Sequence, residues 1–387
     1  MEVRNEIGRA IDRYQEQVVS LSHAIHEHPE LKFREHFACE LLARAVRELG
    51  LEVQIGVGGL ETSFRSKFGD SGSTIAILAE YDALPNGHSC GHNLIAGAAL
   101  AAAAGLASMR QKLPGQIVLM GTPAEEGGGG KITLLQSGAF NGVDAAMMAH
   151  PADCEYSAIG VLAMQHLRIT FQGRAAHAAA APWNGVSALS AVLQTFQSVD
   201  SARVHFRDLA RAHGIITNGG QAVNIVPQLA QCEFSARAIT AKHADEIAER
   251  IRRCADAAAM STGASVEHET MCAYKNMISN RAMVQIYERN SETLGTITRE
   301  APPGTPTGST DMGDISHALP AIHPMFQISE QGRGTCHEEA FVRYSDSERG
   351  YAAMIRVAKA MALTAYDLLS NPTALATAKA EFTAAKK

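Results

Sequence analysis

The stretch TIAILAEYDALPNGHSCGHNLIAGAALAAAAGLA, from Thr74 to Ala107, contains the pattern from which the fold can be predicted. Its first seven residues are nearly all apolar, which is typical of a strand that is covered on both faces. From Asn93 onward the residues are small and apolar along every face, which is typical of a buried helix. A buried strand that leads into a buried helix predicts an α/β domain with a mainly parallel central sheet flanked by helices.

The same pattern continues on both sides of this stretch. Further apolar strands are predicted at Gln116–Gly121, Asp144–Ala149 and Ala321–Ile328, and a long last helix is predicted at Ser347–Leu369. These elements extend the parallel sheet and its helical layers. The Ala-, Lys- and Thr-rich tail after Pro372 is expected to be frayed.

The pattern changes between residues 163 and 276. Strands with alternating polarity, such as MQHLRITFQG from Met164, are combined there with amphipathic helices. Such runs predict a smaller α+β domain with an antiparallel sheet. We therefore expect a discontinuous larger domain, 1–162 and 277–387, with the smaller domain, 163–276, inserted into it.

Composition and charge narrow the class of protein. The chain has 387 residues, a net charge of −6 and no basic stripe, so a nucleic-acid partner is not expected. The longest apolar run, Ile95–Ala107, is shorter than the about 20 residues that a membrane span needs. The N-terminus lacks the apolar segment of a signal peptide, and the seven cysteines are scattered. These features predict a cytoplasmic protein with reduced thiols and no membrane partner.

Four places in the sequence put metal-ligating side chains after predicted apolar strands. In open α/β sheets, residues at the carboxyl ends of strands meet at one edge, where sites form. A thiol, imidazoles and carboxylates together suit two divalent ions that share a site. The candidate residues are Cys90 and His92 in GHSCGHN, Glu125 and Glu126 in TPAEEGGGG, His150 in MMAHP, and His337 in GTCHEEAF.

One other motif leaves two alternatives open. Gly87–Gly91 matches the G-x-S-x-G nucleophile elbow, so a serine hydrolase that uses Ser89 is one alternative, although Pro85–Gly87 interrupts the approach from the strand. Cys90 as a covalent nucleophile is another. The glycine-rich segment before Lys131 looks like a phosphate loop but is not one, because the lysine is followed by Ile132 and not by Ser or Thr.

The motifs, in their order, resemble the di-metal peptidases and aminoacylases of metallopeptidase family 20. The similar branch holds auxin-conjugate hydrolases, p-aminobenzoyl-glutamate hydrolases and carnosine-dipeptidase-like proteins. The chain departs from many members at Asn93, where they have Asp, and at Ala79–Tyr81, where they often have Arg-Ala-Asp, so an auxin-type substrate is not carried over. The motifs that carry the resemblance are HEHPEL (from His26), AEYDALP (Ala79), GHSCGHN (Gly87), TPAEEGGGG (Thr122), MMAHP (Met147), GRAAHAAAAPWNG (Gly173), GGQAVNIVP (Gly219) and GSTDMGDIS (Gly308).

This resemblance implies a metal-dependent hydrolase that cleaves the amide bond of N-acyl amino acids or dipeptides. Two divalent ions, Zn, Mn or Co, would be held in each protomer. Cys90 would bridge them, and His92, Glu126, His150 and His337 would complete the ligand set. A catalytically silent, metal-binding relative remains an alternative.

The resemblance also implies roles for residues that bind no metal. Glu125 would be the general base and then the acid that protonates the leaving amine. Asp82 would orient a ligand. The inserted domain would act as a lid and mediate a homodimer, and its His177 would stabilise the oxyanion in the site of the other protomer. The residues expected to contact substrate are Asn224, Arg237, Gly308, Ser309 and Thr310.

Overall fold

The computed structural model describes residues 2–207, 209–305 and 307–386. The chain divides into two compact units. The first comprises Met1–Gly160, Met277–Pro306 and Asp311–Lys387, and the second comprises Val161–Asn276 and Thr307–Thr310. The second unit thus takes in the short segment Thr307–Thr310, which the sequence-based division placed in the larger domain.

The helices and strands are numbered in chain order. The helices are α1 (Glu2–Glu27), α2 (His36–Glu48), α3 (His92–Ala107), α4 (Gly130–Gln136), α5 (Ala188–Ala202), α6 (Ala241–Thr262), α7 (Arg281–Thr293), α8 (Met312–Ala318), α9 (Glu339–Tyr344), α10 (Glu348–Ser370) and α11 (Pro372–Ala385). The strands are β1 (Gln54–Ile55), β2 (Phe64–Gly69), β3 (Thr74–Ala79), β4 (Gln116–Gly121), β5 (Ala145–Met147), β6 (His150–Ala152), β7 (Tyr156–Ala158), β8 (Ala163–Gln172), β9 (Arg211–Asn218), β10 (Leu229–Ala238), β11 (Ser265–Tyr274), β12 (Arg299–Glu300), β13 (Ala321–Ile322) and β14 (Met325–Gln327).

The first unit is built on a sheet with the strand order β1-β2-β4-β3-β5-β13. Strand β3 pairs in parallel with β4 and β5, and β5 pairs in parallel with β13. The antiparallel strands β1 and β2 extend one edge. Strand β3 is buried along its whole length because helices cover the sheet. The predicted α/β class with a mainly parallel sheet is confirmed. A smaller sheet of the same unit has the order β12-β7-β14-β6.

Helix α3 lies at the centre of the first unit, and all of its residues are buried. It packs against α1, α10 and β3. Its glycines allow this close packing, since a Cβ on Gly97 would lie 2.3 Å from the sulfur of Met354 in α10. A Cβ on Gly105 would lie 2.6 Å from Ile11 of α1. The small residues of α3 therefore let α1 and α10 pack closely against it.

The expectation of a frayed C-terminal tail is wrong, because the tail forms helix α11. Asn371 caps its start, and its side-chain oxygen accepts hydrogen bonds from two backbone N–H groups. Leu375 and Ala378 are buried against the first unit. The Glu381 carboxylate accepts hydrogen bonds from the first two N–H groups of α7. The tail is ordered because it buries apolar surface and caps another helix, which composition alone does not reveal.

The second unit has a sheet of its own, with the strand order β11-β8-β10-β9 and antiparallel pairing throughout. Burial alternates along β10, as a sheet with one covered face requires. Helices α5 and α6 pack against β8 and β10. Phe171, Phe234, Ile247 and Ile251 belong to a separate core in this unit. No helix in the described part of the chain is long and apolar enough to span a membrane.

Candidate metal centre

The ends of the central strands position most of the predicted ligands. Glu125 and Glu126 follow β4, and His150 follows β5 as the first residue of β6. His92 is the first residue of α3, with Cys90 just before it. Gly91 separates the two with a φ of 71°, and a Cβ at this position would lie 2.6 Å from Pro151. A glycine is therefore needed between the thiol and the imidazole.

His337 reaches the site in a different way from that expected. It follows no strand directly and lies two residues before α9. Its φ of 76° is unusual for a residue other than glycine. Its backbone N–H donates to the carbonyl oxygen of Ser89 at 2.8 Å, and its Nε2 lies 3.5 Å from Glu126 Oε1. A strained loop residue tied to the Cys90 loop thus supplies the last predicted ligand.

The structure brings the predicted ligands into one cluster. Three donor atoms, one from each of Cys90, His92 and Glu126, lie within 4.8 Å of one another. The same holds for donor atoms of Cys90, His150 and Cys336. Cys336 was missed in the sequence, where its only signal was its position beside His337.

Hydrogen bonds orient the imidazoles of His92 and His150. Asp82 Oδ1 lies 3.1 Å from Nδ1 of His92, and its Oδ2 accepts the backbone N–H of Glu126 at 2.9 Å. His150 Nδ1 lies 2.7 Å from the carbonyl oxygen of Pro151. In both rings Nδ1 is engaged, which leaves Nε2 for a ligand. Asp82 thus contacts two of the candidate ligand residues at once.

The two adjacent glutamates differ strongly in their acidity. Burial, together with the nearby carboxylates of Glu80 and Glu126, raises the pKa of Glu125 well above its ordinary value. Burial would also raise the pKa of Glu126, but the neighbouring imidazole of His337 and the charge of His92 lower that pKa to about 2. Two adjacent carboxyls whose environments push their pKa values apart are suited to different chemical roles.

The loop that carries these glutamates is held under strain. Ala124, directly before Glu125, has a φ of 60°. Its N–H donates to the buried carboxylate of Glu35 at 2.8 Å. The same carboxylate accepts the hydroxyl of Thr62 and the N–H of Phe33. Glu35 therefore fixes the backbone from which Glu125 and Glu126 project.

A buried ionic triad lies behind the cluster, and sequence reasoning missed it. Lys131 Nζ donates to Glu80 Oε2 at 2.5 Å and to Asp311 Oδ1 at 2.7 Å, and all three side chains are fully buried. The backbone N–H of Lys131 also donates to Asp311 Oδ2 at 2.9 Å. Burial would raise the pKa of Glu80, but the Lys131 ammonium lowers it to about 2. The lysine of the apparent phosphate loop is thus an internal counter-ion.

The local contacts of Ser89 do not resemble those of an activated nucleophile. Its hydroxyl donates to the side-chain oxygen of Asn86 at 2.8 Å. The imidazole of the adjacent His88 lies with its Nε2 3.1 Å from the carbonyl oxygen of Ile25. A serine nucleophile requires a hydrogen bond to a general base, and here the acceptor is the amide oxygen of Asn86.

The remaining predicted residues belong to the second unit and are described within it. His177 is exposed, and its Nδ1 accepts hydrogen bonds from the backbone N–H groups of Ala179 and Ala180. The carbonyl oxygen of Asn224 accepts the N–H of Ala178 at 3.0 Å, so the His177 and Asn224 loops are neighbours. Arg237, on β10, donates to the hydroxyl of Ser309 at 3.1 Å. In the same segment the carbonyl oxygen of Gly308 accepts the N–H of Leu162, and Thr310 is buried.

The cluster fits divalent metal ions on its own chemistry. His92 Nε2, Glu80 Oε1 and Glu126 Oε1 are buried and have no hydrogen-bond partner among the described residues. Leaving such atoms buried without a partner costs about 1–3 kcal/mol each. A thiol, imidazole nitrogens and carboxylate oxygens are the ligands that zinc and similar ions take. This fold and this donor set define the class of α/β metallohydrolases that work at the ends of parallel strands.

Comparison with known proteins gives the family. A model of the peptidase family M20/M25/M40 matches residues 76–360, and the chain belongs to this family. It is 35% identical to the Xaa-Arg dipeptidase of Mus musculus over 98% of this chain and 92% of the relative. It is 33% identical to a p-aminobenzoyl-glutamate hydrolase component of Escherichia coli (strain K12), over 73% of this chain and 63% of the relative. The family resemblance predicted from the sequence is confirmed.

A solved structure with a similar fold comes from Bacillus subtilis and is described as a dinuclear metal binding peptidase from the M20 family. It has a TM-score of 0.69 and 20% sequence identity, and the match covers 93% of this chain and 99% of that one. This likeness supports the two-part fold described above.

Proposed function

We propose that this protein is a metal-dependent hydrolase that cleaves the amide bond of dipeptides or N-acyl amino acids. The observation that carries the proposal is Glu125, a buried carboxyl with a raised pKa, beside a cluster of sulfur, nitrogen and oxygen donors. The names of the relatives support the substrate class, since one is a dipeptidase and the other a hydrolase of an acylated glutamate.

The proposed ligands are Cys90, His92, Glu126, His150 and His337; the proximity of their donor atoms supports this set. Two bound ions would polarise the scissile carbonyl and lower the pKa of the attacking water. We propose Zn, Mn or Co, since thiolate and imidazole ligands suit such ions. Asp82 supports the site by holding the His92 ring and the Glu126 backbone in place.

Glu125 has the proton-transfer role in this proposal. It takes a proton from the attacking water and gives it to the nitrogen of the leaving amine when the amide bond breaks. Its raised pKa favours the second of these steps, because the carboxyl then holds the proton until the amine leaves. Its burial also excludes bulk water from the proton transfer.

Residues of the second unit are proposed to recognise the substrate. Arg237 would bind a substrate carboxylate, because a guanidinium forms two parallel hydrogen bonds with such a group. Its hydrogen bond to Ser309 limits its motion. We propose that Asn224 and the 308–310 segment contact the substrate, that this unit mediates a homodimer, and that His177 stabilises the oxyanion in the other protomer.

Metal removal tests the proposal directly. Metal content per chain is measured before and after exhaustive chelation, and each sample is assayed on a panel of dipeptides and N-acyl amino acids. We expect about two ions per chain, loss of hydrolysis on stripping, and recovery with Zn, Mn or Co. If the protein holds no metal and the chelator does not affect hydrolysis, the proposal is contradicted. Such a result would favour a serine hydrolase that uses Ser89.

A variant of the base separates catalysis from metal binding. Glu125→Gln keeps the shape of the side chain but cannot take a proton, so kcat should fall by about 10²–10⁴-fold while metal content stays at the parent level. Glu61→Gln, at an exposed position, is the matched control and should retain the parent kcat. Hydrolysis by Glu125→Gln at the parent rate would show that the assigned base is wrong. If the parent protein binds metal but hydrolyses none of the substrates, the alternative of a catalytically silent, metal-binding relative is supported instead.

A further inference from the structure

Glu80 is a carboxylate outside the expected ligand set, yet it faces the cluster. It is the first residue after β3 and is fully buried. Its Oε2 accepts a hydrogen bond from Lys131 Nζ. Its Oε1 has no hydrogen-bond partner among the described residues and lies 3.4 Å from His92 Nε2. That nitrogen also has no hydrogen-bond partner in the described part of the chain.

Glu80 and His92 lie within ion-pair distance, but no hydrogen bond joins them. His92 already uses Nδ1 to contact Asp82, and its Nε2 forms no hydrogen bond with Glu80 Oε1. Two donor atoms on one tetrahedral zinc ion, each with a bond of about 2.0–2.2 Å, lie roughly 3.4 Å apart. The observed separation therefore matches two ligands of one ion.

A third potential donor, from His150, lies close to Glu80 and His92. One donor atom each of Glu80, His92 and His150 lie within 4.8 Å of one another. The rings of His92 and His150 meet edge to face, with centroids 5.6 Å apart. Because Nδ1 of His150 lies against the carbonyl oxygen of Pro151, its Nε2 remains for a ligand.

We propose that Glu80 is a ligand, through Oε1, of the ion that His92 and His150 bind. This inference rests on the proposed function and adds a residue to its ligand set. Lys131 and Asp311 are then positioning residues. Lys131 holds Oε2 of Glu80 and so directs Oε1 towards the two histidines, and Asp311 holds Lys131.

The test compares Glu80→Gln with Asp311→Asn. Each variant removes one carboxylate from Lys131 and leaves one Lys131–carboxylate pair, so the change to the triad is matched. Of these two carboxylates, it is Glu80 that lies beside His92. Zn²⁺ affinity and the number of ions per chain are measured on purified protein by competition with a chromophoric chelator. This measurement does not depend on hydrolysis.

We expect Glu80→Gln to lower the affinity for one of the two Zn²⁺ ions by more than about 100-fold. The variant should then retain about one ion per chain. Asp311→Asn, which acts only through Lys131, should stay within about tenfold of the parent. A difference of less than tenfold between the two variants would overturn the proposal, because Glu80 would then act only within the triad. If the parent protein binds no Zn²⁺, the proposed function fails, which is a distinguishable result.

A measurement on the unaltered protein covers the case in which Glu80→Gln does not fold. The Zn²⁺-loaded parent is crystallised, and the ions are located by anomalous scattering. A distance of about 2.0–2.2 Å from Glu80 Oε1 to an ion supports the proposal. A distance beyond about 3 Å, with the carboxylate still turned to Lys131 alone, overturns it.

Discussion

Replacing Lys131 by Met should destabilise the first unit more than any exposed substitution. The ammonium group is fully buried between Glu80 and Asp311. Met has a similar length but no charge, so two buried carboxylates would lose their shared cation. Removing one partner of a buried ion pair costs about 3–5 kcal/mol. We expect a loss in this range and not twice as much, because burial already raises the pKa of Asp311 to about 6 and this carboxyl can take up a proton.

Urea unfolding of the metal-free protein at neutral pH, followed by far-UV circular dichroism, measures this loss. Lys112→Met, at an exposed position, is the control and should stay within about 0.5 kcal/mol of the parent. Adding Asp311→Asn to Lys131→Met should restore part of the stability, because one of the two facing carboxylates is removed. A change of less than about 1 kcal/mol for Lys131→Met would refute the triad as an energetic feature.

Two further predictions concern stability. Burial first, and then the charges of nearby histidines, lower the pKa of His88 to about 3 from 6.5, so the unfolded state binds more protons between these values. Stability should therefore fall as pH drops below 6.5, by up to about 1.4 kcal/mol per pH unit. His88→Gln should flatten this slope in urea titrations at several pH values, and equal slopes would contradict the assignment. Gly130→Ala places a Cβ 1.8 Å from a backbone carbonyl oxygen and should lower stability by about 1–3 kcal/mol. Gly8→Ala, in α1 with open space around it, should raise stability by about 0.5–1 kcal/mol, and thermal melts that move both variants the same way would sink this reasoning.

Local patterns predicted the elements that are buried on all sides. The β3–α3 pair could be predicted from the sequence because a covered strand and a buried helix need apolar residues at every position. Helix α11 could not be predicted from an apolar pattern, because only Leu375 and Ala378 of its described residues are buried. Its order comes from packing and from the contact of Glu381 with α7, and these partners are about 100 residues away in the sequence.

Short motifs were enough to establish the chemical types in the site. The thiol, the imidazoles and the adjacent glutamates all stand in such motifs, most of them close to apolar strands, and each motif can be recognised without knowing its neighbours. The family could also be recognised from the sequence, because those motifs, in their order and spacing, extend over most of the chain.

The packed fold was needed to learn which of these groups meet and what else meets them. Lys131 and Asp311 are 180 positions apart, and Glu80 looks like an ordinary polar residue at a strand end until the fold buries it. Cys336 reaches Cys90 only because the loop before α9 returns to the start of α3. Burial and charge pairing depend on neighbours that are distant along the chain. A local pattern therefore records a residue's type and periodicity, whereas its pKa and its partners are set by the packed interior.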